Sequence, residues 1–78
     1  MEIKTTTEQL IKDEIARLEG LVDNPIAVRN AEICKESLDI YQGLNGKAQK
    51  SAQDSFTQVG GGYRGCKEII ECREMGII

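Results

Sequence analysis

Histidine and tryptophan are missing from this chain of 78 residues, proline occurs once, and the cysteines stand at Cys34, Cys66 and Cys72 without a C-x-x-C pair. The lack of histidine removes the commonest zinc ligand and the one side chain that ordinarily titrates near neutrality, so a structural metal and histidine-based acid–base catalysis are not expected. An odd number of cysteines fits poorly with a disulfide framework. No basic segment leads into an apolar run at the N-terminus, so no signal peptide is visible and the reducing cytosol is the expected compartment. No apolar run approaches the ~20 residues needed to cross a bilayer. Clusters of Lys and Arg interleaved with aromatics are also missing, and a net charge of −3 repels phosphate backbones on average, so direct nucleic-acid binding is not expected.

Large side chains are scarce too, since Tyr41, Phe56 and Tyr63 are the only aromatics. Ala, Ile and Leu must therefore fill the core, and packing helix on helix is the natural way to do it. A chain this short forms one domain, 1–78, and leaves much of its apolar surface wet. Scaffolds of this size add a staple or self-association to a core that alone supplies ~3–5 kcal/mol. With a disulfide and a metal both disfavoured, self-association is the expected support.

What is present is a helical rhythm. Ala27, Ala31, Cys34, Leu38, Tyr41, Asn45, Ala48, Ala52, Ser55 and Val59 follow one another at alternating steps of four and three, a heptad seam that keeps one narrow stripe on one side of a helix. Ile26, Ile33 and Ile40 widen the apolar face. Upstream, Thr5-x-x-Glu8 and Thr6-x-x-Gln9 match the capping box, which predicts a helix start near Thr6 or Thr7. Leu10, Ile11, Ile15, Leu18, Leu21 and Val22 supply its apolar face. Asp23-Asn24-Pro25 ends that helix, and Asn24 as N-cap with Pro25 at the first helical position starts the next, as an antiparallel hairpin or an L.

The stretch Gly43-Leu44-Asn45-Gly46 is ambiguous, because each glycine costs ~1 kcal/mol against alanine inside a helix and Asn-Gly is a good helix end. The seam nevertheless crosses Asn45 without a change of phase, and this predicts one continuous helix from Pro25 to about Val59, near 50 Å long at ~1.5 Å per residue. In that reading Asn45 is a buried polar residue that sets the register of a helix pair. Gly60-Gly61-Gly62 breaks the rod, and a short final helix is predicted from Gly65 to Met75. Gly76 stops it, leaving an apolar tail of Ile77 and Ile78. The expected architecture is all-α: a helical hairpin or small bundle with a long central helix between an N-terminal and a short C-terminal one, paired with a second copy along the seam.

Two binding readings follow. In the first, the chain is a non-enzymatic, self-associating protein that binds another protein. Its interface is drawn from Ala31, Cys34, Leu38, Tyr41, Asn45, Ala48, Ala52, Phe56, Ile77 and Ile78, and its acidic surface steers it towards basic patches. In size and composition it resembles the small helical accessory proteins of phages and mobile elements, which occupy a surface or sequester a ligand; no residue motif carries that likeness. In the second, the loop from Gly60 to Lys67 holds a phosphate-bearing ligand such as a nucleotide. Amides freed by Gly61 and Gly62 lie at a helix N-terminus, with Tyr63 stacking and Arg64 and Lys67 countering charge. The Walker pattern is not met, because Gly65 is followed by Cys66 rather than Lys and no strand precedes the loop. A purely structural or assembly role is a third reading. Cys66, beside Arg64 and Lys67 near a helix start, is the thiol whose thiolate the local charge favours. No cofactor is expected.

Overall fold

The computed structural model describes residues 6–78 and folds them into four α-helices: α1 (Thr7–Glu19), α2 (Pro25–Gln42), α3 (Gly46–Gln58) and α4 (Gly62–Glu74). The all-α class read from the sequence is present, with no strand among the described residues. No helix among them is long and apolar enough to cross a membrane.

Helix α1 starts where its capping signal lies. Thr6 is extended, and its hydroxyl accepts from the Gln9 backbone N–H at 3.1 Å. The Gln9 carboxamide nitrogen donates forward to Asp13 at 2.8 Å. The other capping box begins at Thr5, which lies outside the described residues. The helix ends at Glu19, with Gly20 as its C-cap. Leu21 and Val22 therefore sit in the connection and not on the helix's apolar face, a correction to the longer helix expected. Asn24 and Pro25 start α2 as anticipated, the Asn24 side chain accepting from the N–H groups of Ile26 at 3.0 Å and Ala27 at 3.2 Å. The turn makes an antiparallel hairpin. Glu8, early in α1, accepts from Gln42 at the end of α2, while Glu19 pairs with Lys35 nearer its middle.

The continuous central rod is not formed. Helix α2 stops at Gln42, Gly43 caps it, and Asn45 is the N-cap of a separate α3, its side chain accepting from the Ala48 N–H at 3.1 Å. Two glycines and a strong capping residue within four positions make the break cheap. The Gln49 side chain secures it by donating at 3.1 Å to the Tyr41 carbonyl, which also accepts from the Leu44 N–H of the turn at 3.2 Å. The heptad phase survives because buried positions on both helices face one interior. An apolar pattern records which side is covered, not whether the backbone runs straight.

At the next turn the three glycines act as read. Gly60 donates to the Thr57 carbonyl and Gly61 to that of Phe56, with φ +90° at Gly60, the pairing of a Schellman end. Helix α4 then begins at Gly62, three residues earlier than expected. It closes in the same manner at Gly76, where Gly76 donates to Arg73 and Ile77 to Cys72.

Helix α2 packs along α1 on one side and α4 on the other, and α4 packs on α3, while α2 and α3 barely touch. The core gathers Ile11, Ile15, Leu18, Ala31, Cys34, Phe56 and Ile69, with Ile78 packed against its edge. Phe56 is sealed between helices because Gly65 has no side chain. A Cβ there would come within 2.3 Å of the ring.

Candidate functional site

The loop from Gly60 to Lys67 is the sharpest chemical candidate in the sequence, and the fold takes it apart. The N-terminus of α4 has no local cap, since Gly61 offers no side chain. An anion lies beside it from elsewhere in the chain: the Glu14 carboxylate of α1 is 3.9 Å from where a Cβ at Gly62 would stand, close enough for the Tyr63 N–H to favour its charge. Glu14 is also gripped by Arg17, whose Nε donates at 3.0 Å. Hydrogen bonding from Arg17 holds the Glu14 carboxyl below its ordinary value, against the opposing effect of burial, with the Arg17 charge and the Tyr63 N–H adding to the lowering. The helix end thus already carries a negative charge supplied by the protein.

Arg64 and Lys67 line a different place, an open groove of about 520 Å³ shared with Gln58, Val59, Glu68 and Glu71. The two cations there face two carboxylates. Lys67 also stands over the Tyr63 ring, 5.9 Å from its centroid. Gly61 and Gly62, read as phosphate-binding amides, are needed by the turn, where both take positive φ and a Cβ on Gly61 would crowd Phe56 at 3.2 Å. The structure separates these residues into a capped helix end and a mixed-charge groove.

Cys66 does not face the cations. It is fully buried, as is Cys34 of α2, and interaction between the two thiols, together with burial, pushes Cys34 above the ordinary thiol range while Cys34 and the Ser37 hydroxyl draw Cys66 below it. The Ser37 hydroxyl beside them is spent on the Cys34 carbonyl at 2.9 Å. Cys72 is buried too, 3.8 Å from the Ser55 hydroxyl. Cys66 thus lies in the interior, and what favours its thiolate is Cys34 and Ser37 and not the charge of Arg64 and Lys67. Among the described residues no group of three Cys, Asp or Glu side chains converges as a metal site would require.

The residues assigned to an interface between copies divide in two. Ala31, Cys34, Tyr41, Ala52 and Phe56 are buried within the single chain, and Leu38 packs against the same core, so helices of one molecule cover most of the seam. These six are corrected from docking residues to core. Asn45 is an exposed cap, Ala48 is half-buried, Ile77 is exposed and Ile78 is tucked in. What remains on the surface was not singled out from the sequence. Val22 and Ile26 are 74% and 71% exposed, with Leu21 and Val28 also open around the α1–α2 corner. Val22 and Val28 line a shallow depression there with Ala31, Glu32 and the Glu19–Lys35 pair. Only the end of α1 at Glu19 could have disclosed this corner, because a longer helix would have turned Leu21 and Val22 inward. No known protein family, curated protein or solved structure matches this chain.

Proposed function

We propose that this protein works by binding another protein and carries out no chemistry of its own. The observation that supports the reading is the aliphatic corner of Leu21, Val22, Ile26 and Val28. These four large apolar residues lie within eight positions and stay open to water although the core beneath them is closed by the chain's own helices. Scattered exposed aliphatics are ordinary, whereas four gathered at one corner, Val22 sharing a depression with Val28 and another with Leu21, are costly to leave wet and mark an interaction surface. Heptad pairing with a second copy loses its original argument, because the seam is already covered. Capture of a phosphate-bearing ligand is the weaker reading, because Glu14 occupies the α4 N-terminus and Glu68 and Glu71 share the groove of Arg64 and Lys67.

A photo-crosslinking residue placed at Val22, and separately at exposed Lys47 on α3, tests this. Adducts of defined mass are expected from Val22 in lysate of the native host. They should disappear in the Leu21→Ser/Ile26→Ser variant, whose substitutions at exposed sites leave the helical circular dichroism unchanged. Identical adduct patterns at the two positions would sink the reading.

A further inference from the structure

A second surface carries a more specific chemistry. Helices α2 and α4 lie side by side, and on their outer side Ile33 and Ile70 form the half-buried floor of a trough of about 230 Å³. Glu36 stands on the α2 wall and Glu71 and Glu74 on the α4 wall, with Lys67 as the trough's single cation. Among the described residues none of these three carboxylates is held in an ion pair, although Glu71 also borders the groove of Arg64 and Lys67. On α1, Glu8, Glu14 and Glu19 each pair with a cation, whereas Glu36, Glu71 and Glu74 have none within 4.0 Å among the described residues. Lys67 is turned over the Tyr63 ring.

We propose that this trough receives a basic amphipathic helix from a partner protein. The proposal rests on the protein-binding reading above and adds a place and a partner chemistry to it. Shape argues for a helix, because the space beside two packed helices is the seat a third takes in a bundle, ridges entering grooves. Size argues against a small ligand, whose pockets run from ~300 Å³ upward and enclose most of their guest. Charge selects the occupant. An apolar stripe on the incoming helix covers Ile33 and Ile70, and Lys or Arg on its two flanks meet Glu36 on one wall and Glu71 and Glu74 on the other. Nucleic acid and anionic lipid are repelled by the same three carboxylates.

The test uses two synthetic 18-residue helical peptides with the same leucine stripe, one flanked by lysine and one by glutamate, titrated into the full-length protein. The lysine peptide is expected to bind and the glutamate peptide not to bind, with amide shifts centred on Ile33 and Ile70. The Glu71→Lys/Glu74→Lys variant should weaken binding at least ~10-fold, while Asp13→Lys/Asp54→Lys, which changes net charge equally but away from the trough, should change it less than ~3-fold. Equal losses in the two variants, equal affinity for the two peptides, shifts centred elsewhere, or no saturation by the lysine peptide would each overturn the proposal. None of these touches crosslinking at Val22, so the broader reading stands or falls separately.

Discussion

Gly65 and Phe56 illustrate how one missing side chain sets a helix contact. With the Phe56 ring where a Cβ at Gly65 would stand, Gly65→Ala must push the ring or part α3 from α4, and overpacking of that kind costs about 1–3 kcal/mol. Urea unfolding should show the loss as a lower midpoint with unchanged slope. Combined with Phe56→Leu, the alanine should cost less than it does alone, since the smaller side chain vacates the space. Glu14 acts over a longer range, tying the middle of α1 to the start of α4. Because its folded carboxyl lies below the ordinary value of 4.5, ionised Glu14 stabilises the fold above that pH, and the contribution fades as pH falls through the lowered value. Glu14→Gln should therefore destabilise the protein at pH 7, by about 0.5–2 kcal/mol on the scale of a lost helix cap, and much less at pH 3. Urea midpoints of both forms at the two pH values check the sign.

At the scale of elements, the corner between α2 and α3 decides the architecture. Gly43, Asn45 and Gly46 together disfavour a continuous helix, and the Gln49 contact to Tyr41 holds the bent form. Replacing all three by alanine raises helix propensity at two positions by ~1 kcal/mol each and removes a cap, so the straight rod becomes competitive. A straight rod carries α3 and α4 away from their own α1 and α2, and they can regain their packing only by exchange with a second copy. Light scattering should show the triple variant forming a dimer whose fraction rises with protein concentration, and helix content should not fall. A triple variant with the same mass distribution as the parent at every concentration would contradict this account. Two of the four helix starts were readable in the residues, Thr6 for α1 and Asn24 for α2, and the three glycines marked the end of α3, each through local backbone chemistry. The break at Asn45 was readable only as an alternative, because its capping signal is local whereas the phase of the seam spans both helices.

Across the whole molecule, extents of 38 × 38 × 20 Å describe a slab about two helix diameters thick. A slab this thin closes its core with few large residues, which is why Phe56 and the buried cysteines matter so much, and it leaves broad faces for other molecules. The helical class, the capped starts of α1 and α2 and the glycine stops after α3 and α4 were determined by the sequence alone, because propensity, capping and positive φ act within a few residues. Tertiary structure alone decided that the seam is covered from within one chain, that Glu14 fills the α4 N-terminus, and that Cys66 faces Cys34 and not its cationic neighbours. It also decided that Val22 and Ile26 stay outside while Ile33 and Ile70 share a trough. The physical reason is common to all of these: which partner a side chain meets depends on where the chain turns back, and a turn of three residues relocates every contact beyond it without altering the local pattern.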